Sequence, residues 1–321
     1  MPRLFVHIGT PKTGSTAIQY FLARNFEALR DRGVNFIREG RKREAHNLVL
    51  QARRAGNIAA VMDKVVAEIE SRPEATHVLT SEMYFGAGAA QDLADALPGA
   101  LRRETRILVY LRRQDRFLEA LYKQRVKTGR YHGDALDFAR AKLGNGNYLR
   151  ALAPYAEAFG PENILVRPFE RQLFRDGNIV CDAADLFGVK GMKDLFVPGS
   201  VDNLTLSHEI TQLLARLGRA TDVNIKDIIR HLSQDPPEGA ARSGDCFSLA
   251  ERREIMAGFE ATNQELRQLY RPDLPRLFTM SDLAPGAPDT TPDATERLHR
   301  MERAQDIVFT ALEEMRAKIP A

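Results

Sequence analysis

The chain has 321 residues, of which 44% are hydrophobic and 28% charged, and its formal net charge is only +3. These values are typical of an ordinary soluble protein, long enough for one large α/β domain with helical additions or for two small domains. The two cysteines lie far apart and form neither a metal pattern nor a disulfide framework, and no signal peptide or apolar run of about 18 residues is evident. We therefore expect a cytoplasmic protein without a membrane span.

The first predicted elements are a strand, a loop and a helix. Residues 4–8 form a short apolar strand, and Ser15 or Thr16 can cap the helix that follows. The loop from Gly9 to Gly14 then points its backbone amides, and the positive end of the helix, at whatever lies above it. This arrangement predicts a phosphate-binding loop. The predicted helix carries its apolar face on Ile18, Phe21, Leu22 and Phe26.

The position of the lysine in this loop distinguishes two classes of phosphate-binding protein. Nucleoside-triphosphate loops follow G-x-x-x-x-G-K-[ST], whereas here Lys12 precedes Gly14 and no Gly-Lys-Ser/Thr step occurs. The stretch Pro-Lys-Thr-Gly-Ser-Thr after a strand resembles the 5′-phosphosulfate loop of sulfotransferases, which transfer a sulfuryl group from 3′-phosphoadenosine 5′-phosphosulfate (PAPS). The resemblance implies that Lys12 bonds the oxygen bridging phosphate and sulfate. It also implies a donor-binding loop made of Pro11, Lys12, Thr13, Gly14, Ser15 and Thr16, in which the three hydroxyls contact the 5′-phosphate.

A second motif of the sulfotransferase family is a later strand that ends in an arginine, with a serine eight residues on; together they hold the 3′-phosphate. Residues 106–111 read as a buried parallel strand, and Arg112 follows it into a predicted helix. Ala120 stands where the serine is expected. The resemblance therefore implies a 3′-phosphate site at Arg112 and Ala120 that lacks one hydrogen bond unless a neighbouring side chain replaces it.

Further segments follow in the same order as in bacterial sulfotransferases of the polysaccharide-modifying kind, so that the resemblance spans roughly residues 1–280. The chain has no tryptophan, whereas cytosolic small-molecule sulfotransferases often stack one against the adenine. The resemblance thus implies a carbohydrate acceptor. The matching segments are Thr80-Ser81-Glu82 after a strand, a helix from Asn147-Tyr148 to Phe159-Gly160, a strand over 163–170, and Asn203 to Ser207 opening a late helix.

Two residues are candidates for the general base that takes the proton of the acceptor hydroxyl. Glu82 follows a strand at its carboxyl end, where ligands of open α/β sheets bind, although it could equally be a carboxylate that stabilises a helix N-terminus. His46 follows the basic run 38–44, although a lone histidine is more often structural. We expect His7, on the first strand, to lie in the core beneath the loop.

The implied reaction is in-line transfer without a covalent intermediate, in which positioning and electrostatics supply most of the acceleration. We expect PAPS as co-substrate and no metal. Basic residues cluster at 38–44 and 101–130, but the sparse aromatic residues there argue against a nucleic-acid channel. A P-loop nucleotide kinase, or a catalytically weakened nucleotide-binding or scaffold protein, remains an alternative.

The order of predicted elements indicates an α/β fold, with a P-loop-like parallel sheet flanked by helices and a mostly helical C-terminal part. Residues 1–200 are predicted as the PAPS-binding core, 201–280 as its helical extension, and 281–321 as a linker with an amphipathic helix over 294–315. Helices are expected over 204–217, 225–232 and 248–270. The final helix, with Leu298 in its apolar stripe, packs on the domain or forms a homodimer contact.

Overall fold

A computed structural model describes residues 3–86, 88–198, 205–242 and 246–317. The chain divides into two compact units. The first unit comprises Met1–Arg113, Asn147–Val201 and Ala261–Phe278, and the second Gln114–Gly146, Asp202–Glu260 and Thr279–Ala321. The segments predicted from sequence, with bounds at residues 200 and 280, are consecutive whereas these units interleave, and the predicted division stays a prediction.

The first unit is built around one sheet of five parallel strands in the order β2-β3-β1-β4-β5. Its strands are short and mostly apolar because helices cover both faces of the sheet. The predicted α/β fold with a parallel sheet is confirmed. The strands are β1 (Arg3–His7), β2 (Val34–Phe36), β3 (Thr76–Thr80), β4 (Thr105–Leu111) and β5 (Ile164–Pro168).

Fifteen α-helices occur in the described part of the chain. In chain order they are α1 (Ser15–Arg24), α2 (Phe26–Asp31), α3 (Asn47–Arg54), α4 (Ile58–Glu70), α5 (Ala89–Ala96), α6 (Gly99–Arg103), α7 (Gln114–Lys127), α8 (Ala135–Ala141), α9 (Tyr148–Phe159), α10 (Ile179–Leu186), α11 (His208–Ala220), α12 (Ile225–Gln234), α13 (Leu249–Ala257), α14 (Glu260–Tyr270) and α15 (Ala294–Ala317). None of the helices in the described ranges is long and apolar enough to cross a membrane.

Alternate residues of β1 face two different apolar cores of the first unit. Leu4 and Val6 pack in one core, with residues of α4, α5 and α9, while Phe5 packs in the other, with residues of α1, α2 and α10. Because all five strands are parallel, their carboxyl ends meet at one edge of the sheet. The loops that follow β1, β3, β4 and β5 therefore lie together at that edge.

The predicted helix over 248–270 is wrong as a single element. It is interrupted at residues 258 and 259, so that α13 and α14 are separate helices. Ile255 and Phe259 pack in the core of the second unit, whereas Leu266 packs in that of the first. The predicted start of the late helix at residue 204 lies outside the described residues; α11 begins at residue 208, capped by the Ser207 hydroxyl, which accepts from the Ile210 amide at 3.3 Å.

In the second unit, α15 packs against α11 and α12. Its buried residues are Ala304, Val308 and Ala311. Leu298, which the sequence predicts on this apolar face, is instead 58% exposed. The apolar stripe is thus longer than the surface that the neighbouring helices cover.

Candidate active site

The loop between β1 and α1 has the geometry of an anion-binding turn. Gly14, with a φ of 74°, occupies the N-cap position of α1, and no side chain caps this helix. Its carbonyl accepts from the Ala17 amide at 2.9 Å, while the amides of Ser15 and Thr16 form no hydrogen bond with a described residue. Lys12, also left-handed with a φ of 68°, lies exposed in the middle of the loop. A bound anion could accept from the amides of this first helical turn.

Two threonine hydroxyls hold this loop in place. Thr10 Oγ1 donates to the Tyr110 carbonyl at 2.6 Å, and Thr13 Oγ1 donates to the Thr10 carbonyl at 2.7 Å. Both threonines are fully buried. The Thr13 hydroxyl thus donates within the loop, and its predicted contact with the 5′-phosphate stays a prediction. Thr16 remains exposed, and roles for Pro11 and Thr16 in donor binding stay predictions.

Ser15 differs from Thr13 because its hydroxyl is buried beside the Glu82 carboxyl and does not donate to a loop carbonyl. The residue is 1% exposed, and its Oγ forms no hydrogen bond of normal geometry with any described residue. A Cβ added to Gly9 would overlap Ser15 Oγ and would come within 3.3 Å of Glu82 Cγ, so that only glycine fits there. A buried hydroxyl without a well-formed hydrogen bond is costly, and an oxygen of a bound ligand could accept from it.

The exit of β4 lies beside this loop. Arg112 Nη1 donates to the Lys12 carbonyl at 3.2 Å, and the guanidinium lies over the Phe169 ring at 5.9 Å. The Tyr148 hydroxyl donates to the Arg112 carbonyl at 2.7 Å, which fixes the backbone there. The structure thus brings Arg112 next to Lys12. Ala120, half-buried on α7, belongs to the second unit, and its predicted role at the 3′-phosphate stays a prediction.

Glu82 begins a short 3₁₀ helix, Glu82–Phe85, directly after β3. The cap of this turn is the Ser81 hydroxyl, which accepts from the Met83 amide at 3.1 Å. The residue as a whole is exposed, but partial burial of its carboxyl raises the pKa of Glu82, while the Lys12 ammonium and the Ser15 hydroxyl oppose that rise. The carboxylate therefore lies close to both loop residues, at the same edge of the sheet as Arg112.

His46 is removed from the candidate bases by its hydrogen bonds. The ring is fully buried; Nδ1 accepts from the Thr80 amide at 3.0 Å, and Nε2 donates to the Ile37 carbonyl at 2.9 Å. Burial lowers the pKa of His46 to about 4. Both ring nitrogens thus join backbone segments, and neither can take a proton from a substrate. The basic run before His46 had suggested that its ring could reach the acceptor, but the fold buries the ring.

His7 lies buried in the core, as expected. Its Nδ1 is 2.8 Å from Thr80 Oγ1, and burial lowers the pKa of His7 to about 4. Gly9, which belongs to the predicted loop, approaches Ser15 closely, and Phe169, which the sequence did not assign to the site, lies beneath Arg112. The available signals were a glycine directly after a strand and an aromatic residue directly after β5. Among the described residues, no group of three or more His, Cys, Asp or Glu side chains is suited to hold a metal ion.

No family model matches the chain. It is 30% identical over 172 residues to an uncharacterized protein of Archaeoglobus fulgidus, and the match covers 52% of this chain but only 46% of that relative. The crystal structure of a sulfotransferase from Alicyclobacillus acidocaldarius aligns over 85% of this chain and 97% of that one, with a TM-score of 0.45 and 18% identity. Values of this size do not establish a shared family, so the function must be inferred from the residues of this chain.

Proposed function

We propose that the first unit is the core of a sulfotransferase, which moves a sulfuryl group from PAPS to a hydroxyl or amine of an acceptor. The observation that carries the proposal is the buried Ser15 hydroxyl, which interacts with Glu82 but forms no hydrogen bond of normal geometry with a described residue, in a loop that also presents Lys12 and the uncapped start of α1. A site built this way offers several donors to one group of anionic oxygens. The 5′-phosphosulfate group of the donor is such a ligand.

Each phosphate of the donor has residues that fit it. The amides of Ser15 and Thr16, with the Ser15 hydroxyl, would hold the 5′-phosphate, and Arg112 would hold the 3′-phosphate as a charge-assisted contact. Lys12 would bond the bridging oxygen, where negative charge increases as the sulfuryl group leaves. The lysine precedes Gly14 in the sequence, which favours this donor over a nucleoside triphosphate.

Glu82 is the best candidate for the general base. Burial raises the pKa of its carboxyl, and a higher pKa makes the ionised carboxylate a stronger base toward an acceptor hydroxyl. Lys12 lies close enough to lower that pKa in part, which favours the ionised carboxylate. The acceptor proton would pass to Glu82 as the new S–O bond forms, without a covalent enzyme intermediate. We propose a carbohydrate acceptor, because the sequence motifs follow in the order found in polysaccharide-modifying sulfotransferases and because the chain lacks tryptophan.

Binding of two nucleotides tests the donor assignment. We expect 3′,5′-adenosine bisphosphate to raise the melting temperature of the full chain more than ATP with Mg²⁺ does, because a ligand that binds the native state stabilises it. Equal or greater stabilisation by ATP with Mg²⁺ would reject the sulfotransferase assignment in favour of a kinase. Mass spectrometry of a glycan panel incubated with the protein and PAPS tests transfer, with Glu82→Gln as the variant expected to bind the donor but to transfer about 10²–10⁴-fold more slowly.

A further inference from the structure

Phe169, the residue directly after β5, lies between the two phosphate sites proposed above. Its amide donates to the Leu111 carbonyl at 2.7 Å, which continues the pairing of β4 with β5 and brings Phe169 beside Arg112. Its ring lies under the Arg112 guanidinium, with Cζ 5.9 Å from the ring centroid. Toward the loop, a Cβ added to Gly14 would lie 3.4 Å from Phe169 Cε2. One ring thus lies against both the arginine and the start of α1.

The Phe169 ring is held in place by the apolar core of α1, α2 and α10. The residue is half-buried and packs against that core, where its ring meets the Phe174 ring edge-on at 5.5 Å. Edge-to-face aromatic pairs of this kind have a preferred geometry, so they restrict the orientation of both rings. Phe169 therefore offers Arg112 a surface whose position is set by the core and by the backbone pairing of β5.

The contacts of Arg112 restrict its side chain before any ligand binds. An arginine side chain has many rotamers, and ordering it during binding lowers the affinity. Here Nη1 donates to the Lys12 carbonyl at 3.2 Å, and the guanidinium lies within the distance at which a cation is attracted to the face of the Phe169 ring. The contact with the ring uses none of the N–H donors of the guanidinium. It therefore orients the group without competing with a phosphate for those donors.

We infer that Phe169 is a positioning residue that makes the donor site selective for nucleotides with a 3′-phosphate. The inference rests on the proposed function, in which Arg112 binds that phosphate and the loop binds the 5′-phosphate. Because the ring lies against Gly14 as well as under Arg112, it fixes the guanidinium relative to the loop and so sets the spacing of the two phosphate sites. A nucleotide with both phosphates gains from this fixed spacing, whereas one with the 5′-phosphate alone does not.

Calorimetry on the full chain with 3′,5′-adenosine bisphosphate and with 5′-AMP tests this role, because the ratio of the two affinities reports the 3′-phosphate contact. Phe169→Leu keeps an apolar side chain but removes the aromatic face, and it should lower that ratio about threefold to tenfold. Phe169→Tyr keeps the face and should restore the wild-type ratio. Phe187→Leu is the matched control, because Phe187 lies in the same apolar core but its ring meets Phe5, at 5.4 Å; it should leave the ratio unchanged.

A double-mutant cycle separates this role from a general structural effect. Once Arg112→Ala has removed the guanidinium, Phe169→Leu should not change the ratio further. Phe169→Met replaces Phe169→Leu in the same cycle if the leucine variant folds poorly. The inference is wrong if the ratio is unchanged in the Phe169 variant, if both nucleotides are weakened equally, or if the effect persists without Arg112.

The wild-type protein distinguishes a failure of this inference from a failure of the proposed function. If the wild type does not bind the bisphosphate more tightly than 5′-AMP, the 3′-phosphate site is rejected, and the role of Phe169 is rejected with it. If the wild type prefers the bisphosphate and Phe169→Leu keeps that preference, only the role of Phe169 is rejected.

Discussion

The two hydroxyls of the phosphate-binding loop give a matched test of the site. Ser15 Oγ is buried beside Glu82 and forms no hydrogen bond of normal geometry with a described residue, whereas Thr13 Oγ1 donates to the Thr10 carbonyl at 2.7 Å. Ser15→Ala removes an unsatisfied group, which costs about 1–3 kcal/mol when buried, so the free energy of unfolding should stay constant or rise by about 1 kcal/mol. Thr13→Val keeps the shape but loses the hydrogen bond, and it should lower that free energy by about 1 kcal/mol.

The affinity of the two variants for the donor nucleotide should change in the opposite sense to their stability. If Ser15 donates to the 5′-phosphate, Ser15→Ala loses a charge-assisted bond and should weaken 3′,5′-adenosine bisphosphate by about tenfold to a hundredfold. Thr13→Val should bind it nearly as the wild type does, because its hydroxyl serves only the loop. Urea unfolding and calorimetry on both variants provide the two measurements.

One pattern of results would refute the reasoning. If Ser15→Ala is destabilised while its affinity for the bisphosphate is unchanged, the Ser15 hydroxyl has a structural partner and does not face the ligand. A larger loss of affinity in Thr13→Val than in Ser15→Ala would likewise show that the loop rearranges before it binds an anion.

Four further predictions concern single residues. Lys12→Gly should be more stable than Lys12→Ala by about 1 kcal/mol in thermal unfolding, because the φ of residue 12 is 68° and glycine adopts such a value without strain. Both variants should transfer the sulfuryl group about two to three decades more slowly, and retained activity would contradict the role of the ammonium. Arg252→Met removes the guanidinium that bonds the buried Asp115 and Glu119, although Lys123 still pairs with Glu119 at 3.6 Å, and it should cost about 3 kcal/mol in urea unfolding. Arg140→Met, whose ion pair is exposed, should cost less than about 1 kcal/mol. The pKa of His46 in the folded state, about 4, lies below its ordinary value of 6.5. The free energy of unfolding should therefore fall by up to about 3 kcal/mol as the pH drops from 6.5 towards 4. An NMR titration of His46 with a midpoint near 6.5 would contradict this. Ala120→Ser should increase the affinity for 3′,5′-adenosine bisphosphate by at most about tenfold to a hundredfold, but it should leave the affinity for adenosine 5′-phosphosulfate unchanged. An unchanged ratio of the two affinities in calorimetry would refute the predicted contact.

The sheet could be predicted from the sequence because buried parallel strands need continuous apolar runs. The apolar runs at 4–8 and 106–111 correspond to β1 and β4 within two residues. β2, with only three residues, was not singled out, since so short a run has no detectable period. The joined prediction over 248–270 failed because helical periodicity does not show to which core each turn belongs.

The residues of the site also differ in how well the sequence predicts their positions. Lys12, Glu82 and Arg112 each follow a strand, and parallel topology alone places such residues at one edge of the sheet, which is why their proximity was predictable. His46 was misjudged because its partners, the Thr80 amide and the Ile37 carbonyl, are backbone groups that no side-chain pattern reveals.

The difference between Thr13 and Ser15 shows why the details of such a loop need a structure. In the sequence both are small hydroxyl residues within a phosphate-binding motif, and their chemistry is the same. The fold separates them, because the Thr10 carbonyl lies within reach of Thr13 Oγ1. Ser15 Oγ instead lies between Gly9 and Glu82 and forms no hydrogen bond of normal geometry with a described residue. A loop that must stay rigid and also bind an anion needs both kinds of hydroxyl, one satisfied internally and one kept available. Which residue serves which purpose depends on the position of a carbonyl, and residue type alone does not determine that position.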